Sequence, residues 1–403
     1  MAKICNFFFI FTFFILSSES EAQIDPSDLA ALRLIKNSLT DVPSAARFFS
    51  TWNFSAAADP CASFAGVTCS ASRVTILSLG TGMADSPGLA GTLSPAVAQL
   101  TELTQLILFA GIVTGPIPAQ LGSLQSLRVI ALTSNRLTGE IPASIFRLQN
   151  LHTLDLSRNQ LAGNLPPAID ALPRLKVLVL ASNRLSGQMP RHFPENLLHL
   201  DVGGNLLSGT LPPQMPAALR YLSAGNNLMS GELNGMESLT SLAYLDLSMN
   251  KFSGPIPGAL IRPALTSLFL QRNNLSGRVP QSQPWPDSVA GSTVDLSHNS
   301  LTGELSAALI AAESLFLNNN LLTGGVPEEY VASVQRGTMK TLYLQHNYIT
   351  GFPIRVGSAL PDTAAVCVSY NCMDAPPLGL SACPASAGDQ ISRPAYQCSG
   401  FHN

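Results

Sequence analysis

The chain has 403 residues, with 22 Lys and Arg against 25 Asp and Glu and a formal net charge of −3. This near balance gives no electrostatic reason to expect a nucleic acid or an anionic membrane as a partner. Only 12% of the residues are charged, 46% are apolar, and Gly and Pro number 30 and 29, which argues against a compact α/β enzyme.

Residues 1–22 have the pattern of a secretory signal peptide. Lys3 precedes an apolar run over residues 4–16, and the small residues Ser20 and Ala22 then fit a cleavage site. The apolar run is shorter than the roughly 20 residues that a membrane span needs, so a membrane anchor is the weaker interpretation. No later stretch is apolar enough to predict a span, and QCSGFHN at the end does not match a lipid-anchor signal.

Residues 23–73 are predicted to form an N-terminal cap. Apolar residues recur at helical spacing over residues 25–39, after a capping residue at Asp25 or Ser27, which predicts a helix. Three aromatic residues and the segment CASFAGVTC, residues 61–69, follow this helix.

Residues 74–371 repeat with a period of about two dozen residues. Copies such as LHTLDLSRNQLAGNLP, which begins at Leu151, share an LxxLxLxxN half and an LxGxIP half, and the steps between successive Asn residues range from 21 to 27. This period predicts about 12–13 leucine-rich repeats stacked as a solenoid. The predicted Asn ladder comprises Asn135, Asn159, Asn183, Asn205, Asn227, Asn250, Asn273, Asn299, Asn320, Asn347 and Asn371.

One repeat shows how each coil is expected to fold. Leu154 and Leu156 lie two apart on a predicted strand, so both point into the solenoid, whereas Asp155 points outward. Asn159 ends the strand, and its side-chain amide can bind backbone groups of neighbouring coils. Without it, each unpaired backbone group would cost about 1–3 kcal/mol. Gly163 then lets the chain turn.

Outward side chains of such strands form columns across one concave sheet, because parallel strands lie roughly 4.8 Å apart. The middle and late coils place aromatic residues among charged ones, a composition typical of binding hot spots. The alternative is that outward aromatic residues merely favour strands and shield the sheet. His199 and His298 are interpreted as solvated strand residues. The predicted contact patch comprises Asp201, Tyr221, Tyr244, Asp246, Phe269, Arg272, Asp295, Phe316 and Tyr343.

Six cysteines remain after the predicted signal peptide, and an even number in an exported chain favours disulfides. In VCVSYNC, residues 366–372, Asn371 ends one more strand and Cys367 takes the outward position of Asp155. Residues 372–403 are therefore expected to form a C-terminal cap, for which three pairings are open. Zinc is disfavoured because the spacings of 5, 11 and 15 contain no CxxC. The predicted disulfide cysteines are Cys61, Cys69, Cys367, Cys372, Cys383 and Cys398.

The LxGxIP half, seen in LTGEIP at 137–142 and LSGQMP at 185–190, resembles that of plant-type extracellular leucine-rich-repeat proteins. This group includes kinase-less receptor-like proteins and polygalacturonase-inhibiting proteins. The resemblance implies an α/β repeat solenoid, a right-handed superhelix with a concave parallel β-sheet, a second short strand in each GxIP segment, and disulfide-stapled caps. It also implies a bridge between Cys61 and Cys69, although Phe64 lies near a position where the family often has Trp.

No nucleophile elbow, phosphate loop, dinucleotide fingerprint or HExxH motif occurs in the sequence, so we expect no catalytic residues, no metal, no cofactor and no enzyme activity. The resemblance implies a non-catalytic module that binds an extracellular protein or peptide, with a membrane receptor kinase as one candidate, in cell-surface signalling or defence. It places the protein in the extracellular space or cell wall, or peripherally at the plasma membrane surface.

Two other functions are weighed on the same residues. A polygalacturonase inhibitor would have even 24-residue repeats, and the irregular steps and the insertion WPDSVAGST at 285–293 weaken that identity. A wall-anchored structural module is disfavoured because no Ser-Pro-rich segment follows Cys398. Two N-glycosylation sequons, at Asn53 and Asn274, fit an exported protein.

Overall fold

The computed structural model of the protein describes residues 24–42, 47–55, 59–82, 88–262, 264–281, 289–354, 360–373, 383–388 and 390–398. The predicted signal peptide and the first part of the insertion at 285–293 lie outside the described residues. The described chain winds into a solenoid with one β-sheet of 14 strands, called the concave sheet, and a second sheet of 12 strands. The predicted fold class is thereby confirmed.

The concave sheet contains one strand from each coil, in the order of the sequence. Its strands are parallel and in register, with Leu154 paired to Leu178 and Leu178 to Leu200, except that the first pair is antiparallel. The strands are Val67–Ser70, Arg73–Leu79, Gln105–Leu108, Val129–Leu132, Thr153–Asp155, Val177–Val179, His199–Asp201, Tyr221–Ser223, Tyr244–Asp246, Ser267–Phe269, Val289–Asp295, Ala312–Phe316, Thr341–Tyr343 and Ala365–Cys367.

The second sheet is formed by the LxGxIP halves, and it too begins with an antiparallel pair. A left-handed Gly, such as Gly163 with φ of 87°, closes most of these strands, and a short 3-10 helix follows in many coils. The strands are Leu39–Asp41, Leu89–Thr92, Ile112–Pro116, Arg136–Gly139, Gln160–Asn164, Arg184–Gln188, Leu206–Gly209, Leu228–Gly231, Lys251–Gly254, Asn274–Arg278, Ser300–Gly303 and Leu321–Leu322.

The described α-helices lie in the caps and in one late coil. None of them is long and apolar enough to cross a membrane. The α-helices are Pro26–Ser38, Pro60–Ser63, Glu328–Gln335 and Ala395–Cys398. The 3-10 helices are Phe48–Thr51, Pro95–Gln99, Ala119–Ser123, Ala143–Arg147, Pro167–Ala171, Met236–Ser238, Gly258–Leu260, Ala307–Leu309 and Ala385–Ala387.

A single apolar core runs between the two sheets along the whole solenoid. Leu154 and Leu156 of one coil are fully buried in it, and Leu161 is buried from the opposite side. Each buried leucine side chain contributes about 1.5–3 kcal/mol relative to an exposed one, so this core is the main source of stability.

The Asn ladder connects the coils through side-chain hydrogen bonds. Asn159 Oδ1 accepts from the Leu137 backbone N–H at 3.0 Å, and its Nδ2 donates to the carbonyls of Leu132 and Leu156 at 2.7 and 3.1 Å. Equivalent bonds recur along the ladder as far as Asn371. Each Asn amide thus satisfies three buried backbone groups, two of them in the preceding coil.

The N-terminal cap closes one end of the core. Asp28 is fully buried beneath its helix, forms an ion pair with Arg73 at 2.9 Å and accepts from the Val74 backbone N–H at 2.8 Å. Trp52 stacks on Phe64 at 5.2 Å, so the aromatic Phe64 takes part in the cap core. A disulfide joins Cys61 to Cys69, as the resemblance implies.

The C-terminal cap closes the other end. Of the three pairings that the sequence left open, the structure has Cys367 bonded to Cys383 and Cys372 bonded to Cys398. Cys367 lies in the outward column beside Tyr343, but it is fully buried. Cys367 therefore lies in the expected outward column. The expectation that it is exposed there is wrong, because its bridge to Cys383 brings the C-terminal cap over it.

Candidate ligand-binding face

The concave sheet brings four aromatic side chains of the predicted patch region into one line, here called the aromatic row: His199, Tyr221, Tyr244 and Phe269. His199, Tyr221 and Tyr244 occupy the same position on three consecutive strands and are direct register partners. Since the strands are roughly 4.8 Å apart, outward rings in one column are held at stacking distance.

The rings of the row are nearly parallel at its start. The centroids of His199 and Tyr221 are 4.0 Å apart at an interplanar angle of 3°, and those of Tyr221 and Tyr244 are 4.3 Å apart at 6°. Phe269, one column over, completes the row at 5.6 Å and 52° from Tyr244. Because the first three rings cover one another's faces, they offer a ligand their edges and polar atoms rather than a flat stacking platform.

His199 belongs to this row, contrary to its interpretation as a solvated strand residue. The structure places it half-buried against the Tyr221 ring. The signal was present in the sequence, since His199 precedes Tyr221 and Tyr244 in the same column. The His residues of the chain are dispersed among the repeats, so a single His with its small ring did not by itself indicate an aromatic cluster.

Burial disfavours the charged forms of the three titratable side chains in the row. Burial is the main cause that raises the pKa of Tyr221, with the neighbouring Tyr244 and the charge of Asp201 adding to it. Burial also raises the pKa of Tyr244, helped by Asp246. The pKa of His199 is lowered by burial, partly opposed by Asp201. The hydroxyls are thus protonated and the imidazole is neutral.

Four aspartates lie in the next column, one on every second strand, and the position of each carboxylate is fixed by its own backbone. In each, Oδ1 accepts from the backbone N–H two residues later, at 2.9–3.0 Å, in an Asx-type turn. The ion pairs found within the described residues, Arg73–Asp28 and Lys340–Glu313, include none of them. The concave column therefore presents unpaired carboxylates, which are those of Asp155, Asp201, Asp246 and Asp295.

The remaining residues of the predicted patch lie in a second group. Phe316 and Tyr343 contact each other edge to face at 5.3 Å. The strand that carries Asp295 lies between Phe269 and Phe316, so the two aromatic groups are separate. Burial raises the pKa of Asp295, and this is partly opposed by hydrogen bonds from Ser297 and, to a smaller extent, by the charge of the exposed Arg272.

The two predicted glycosylation sites lie away from the aromatic row. Asn53 is exposed in the N-terminal cap, and Asn274 is exposed at the start of a strand of the second sheet. An attached glycan at either position would therefore leave the concave face accessible.

Comparison with protein families agrees with the repeat pattern. The family described as "Leucine rich repeat" matches residues 125–185 and 241–262, and "Leucine rich repeat N-terminal domain" matches residues 25–70. Among curated proteins, no sequence matches the chain.

Solved structures with the same fold include ectodomains of two plant receptor kinases. One is the ectodomain of GASSHO1/SCHENGEN3 from Arabidopsis thaliana, in complex with CASPARIAN STRIP INTEGRITY FACTOR 2, at 28% identity and a TM-score of 0.68 over 85% of this chain and 44% of that one. Another is the Arabidopsis receptor kinase HAESA, in complex with the peptide hormone IDA and the co-receptor SERK1, at 28% identity and a TM-score of 0.68 over 87% and 58%. The chain thus spans about half the length of these two ectodomains.

A third structure, of a plant ice-binding protein, has 26% identity and a TM-score of 0.60, and the match covers 82% of this chain and 97% of that one. All three share the solenoid with this chain at similar levels of identity. The repeat pattern, the cysteine-bridged caps and these likenesses support a plant extracellular leucine-rich-repeat protein.

Proposed function

We propose that the protein is a secreted, non-catalytic recognition module that binds an extracellular peptide or protein through its concave face. The observation that carries this proposal is the aromatic row, a line of closely spaced rings beside unpaired carboxylates on an open parallel sheet. Aromatic residues with their polar atoms at the surface are typical of binding hot spots.

The likeness to receptor ectodomains supports the same function. One of them is seen in complex with CASPARIAN STRIP INTEGRITY FACTOR 2, and another with a peptide hormone and a co-receptor. By analogy, the ligand of this chain is a peptide or a protein segment, and a membrane receptor kinase is a candidate for a second partner. We place the protein at the cell wall or at the plasma membrane surface, in signalling or defence.

The test is recovery of partners from plant cell-wall and membrane extracts by the immobilised protein. The triple variant Tyr221→Ala, Tyr244→Ala, Phe269→Ala removes three rings of the row. A matched control, Leu34→Ala, Leu228→Ala, Ile391→Ala, removes three exposed apolar side chains outside the concave sheet. We expect the control to recover the same partners as wild type and the row variant to lose at least about tenfold, as expected for hot-spot residues.

Equal recovery by both variants would overturn the concave face as the binding site. A partner identified as a wall hydrolase that the protein inhibits would keep the binding function and favour the inhibitor role over signalling. Turnover of a substrate by the purified protein would contradict the non-catalytic proposal.

A further inference from the structure

We infer that the concave face contains a slot that binds a basic side chain of the ligand, with arginine the best fit. The slot, called the acidic slot, is formed by Asp201, Gly203, Ser223, Gly225 and Asp246. This inference rests on the proposed function, since it names the chemistry that a peptide ligand must bring to the face beside the aromatic row.

Three consecutive strands position the slot. Asp201, Ser223 and Asp246 are register partners in one outward column, with the short Ser223 between the two carboxylates. The aspartate Cα atoms are therefore about two strand spacings, or roughly 10 Å, apart. Tyr221 and Tyr244, in the adjoining column of the same strands, form one wall.

Two glycines make room for the polar atoms of the slot. Gly203 and Gly225 lie two residues after the column, where other coils have larger residues such as Ser157 or Gln271. Neither has a left-handed backbone, so no turn requires glycine there. A Cβ at Gly225 would lie 2.7 and 2.9 Å from the carboxylate oxygens of Asp246, which real Cβ atoms essentially never do. The missing side chain is thus what allows the Asp246 carboxylate to lean into the slot.

The floor of the slot is the outward hydroxyl of Ser223. The residue is only 7% exposed, and within the described residues its hydroxyl makes no hydrogen bond. Its Oγ is not one of the buried polar atoms that lack a partner, so it reaches the open side of the slot. This Oγ would be 3.1 Å from a Cβ at Gly203, and Asp201 Oδ1 would be 3.2 Å from the same point, so both atoms are directed to one side of the slot. A donor of a ligand can therefore reach the Ser223 oxygen.

The charges of the slot select the ligand. Each carboxylate donates no proton and uses one oxygen for its own Asx turn, which leaves the other oxygen unpaired. A metal ion would need its ligands within roughly 2.0–2.6 Å of one point, which carboxylates on strands two steps apart do not provide. A guanidinium is wide and planar, with five N–H donors, and it can reach both carboxylates and the Ser223 oxygen.

The first test uses N-acetyl-arginine methylamide as the probe and the neutral isostere N-acetyl-citrulline methylamide as its control. Binding to the full chain is measured by saturation-transfer NMR at low ionic strength, where exposed charges are least screened. We expect the arginine compound to bind about tenfold more tightly, since hydrogen bonds to charged groups are the stronger ones. Equal binding of the two compounds would overturn the inference.

Variants then locate the binding. We expect the preference for arginine to vanish in Asp201→Asn, Asp246→Asn and in Gly225→Val, whose side chain would displace the Asp246 carboxylate. It should persist in Asp170→Asn, Glu195→Gln, which removes the same charge from exposed positions outside the concave column. Circular dichroism and thermal unfolding establish that each variant is folded. A preference that survives in the slot variants, or is lost equally in the Asp170, Glu195 variant, would show that the slot is not the site.

A second test separates this inference from the proposed function. Random linear dodecapeptides displayed on phage are selected on wild type, on the Asp201→Asn, Asp246→Asn variant and on the triple aromatic variant. The expected result is enrichment of arginine at a fixed position on wild type alone. Peptides that need the aromatic row but show no such preference would overturn the slot and keep the function. Peptides that ignore the row would overturn the concave binding face itself.

Discussion

At the scale of single residues, the ladder Asn side chains hold their neighbours in an unusual backbone conformation. Every ladder Asn follows a residue with positive φ, as in Arg158 at 56°, Arg272 at 59° and His346 at 60°. Such a conformation costs a non-Gly residue about 1–2 kcal/mol. The three hydrogen bonds of each Asn amide to two coils offset this cost, because they fix the turn that follows each concave strand.

Replacement of one ladder residue should therefore destabilise the protein strongly. Asn250→Leu fits the volume but leaves the Met229 N–H and the carbonyls of Ala224 and Leu247 without this partner. At about 1–3 kcal/mol for each buried group, we expect the free energy of unfolding to fall by at least about 2 kcal/mol. Urea denaturation followed by circular dichroism measures it. Asn164→Leu, at an exposed position, should change it by less than about 0.5 kcal/mol.

His199 gives the stability a pH dependence of known sign. Its pKa is lower in the folded state than the ordinary value of about 6.5, because burial disfavours the imidazolium. Its contribution to stability is thus complete above that value and is lost as pH falls from about 6.5 to the folded pKa. We expect His199→Gln to lose less stability than wild type between about pH 7 and pH 5.

Thermal unfolding at both pH values measures this difference. His192→Gln, at an exposed position, is the control and should behave as wild type. A variant His199→Gln with the same or a greater acid sensitivity than wild type would contradict the burial of the imidazole in the aromatic row.

At the scale of elements, the terminal cap stabilises the last strand of the concave sheet. Arg393 lies over the rings of Tyr348 and Tyr370, at 4.1 and 4.5 Å from their centroids, and its Nε donates to the Asn347 carbonyl. The bridge from Cys372 to Cys398 ties the helix Ala395–Cys398 to this arrangement. The cap thus covers backbone groups of the last coils that would otherwise pair with a following repeat.

Removal of that bridge should loosen the cap locally. For Cys372→Ser, Cys398→Ser we expect a loss of about 2–4 kcal/mol, typical of a native disulfide. Amide hydrogen exchange, read by mass spectrometry, should become faster in the strand Ala365–Cys367 and stay unchanged in Val177–Val179, because solenoid coils contact only their neighbours. Uniformly faster exchange would mean that the cap supports the whole solenoid.

The secondary-structure elements could be predicted from the sequence better than the contacts between side chains. The strand at Leu154 and Leu156 follows from its alternation and from the repeat period, because the same pattern recurs in every coil. The pairing of the last four cysteines does not follow from spacing, since several loops of similar length could close. The acidic slot could not be predicted from the sequence, because it depends on the absence of side chains at Gly203 and Gly225, and the repeat pattern does not mark a missing side chain as functional.

At the scale of the whole molecule, the coils are stacked in the order of the sequence. Residues of successive repeats therefore lie on successive strands of the concave sheet. The aromatic row and the acidic slot occupy four successive strands from His199–Asp201 to Ser267–Phe269. Because each coil contacts only its neighbours, removal of a whole coil costs one interface between coils and leaves the distant interfaces unchanged. The solenoid should therefore tolerate deletions that respect its period.

Two such deletions separate the loss of the binding surface from the loss of one structural repeat. Deletion of residues 206–227 joins Asn205 to Leu228 and removes the coil with Tyr221, Ser223 and Gly225, whereas deletion of residues 136–159 removes a coil outside the row. We expect both proteins to fold, with comparable losses in melting temperature, by circular dichroism. Only the first should lose partner recovery from plant extracts. Loss in both would mean that the ligand contacts a longer surface.

The antiparallel strand that begins each sheet marks where the parallel ladder starts. Val67–Ser70 and Leu39–Asp41 run against the strands beside them. A second copy that stacked on this end like one more coil would meet a strand of the opposite direction, so the parallel hydrogen-bonding pattern would not continue unchanged across the joint. The N-terminal cap thus ends the repeat in its backbone as well as in its sequence.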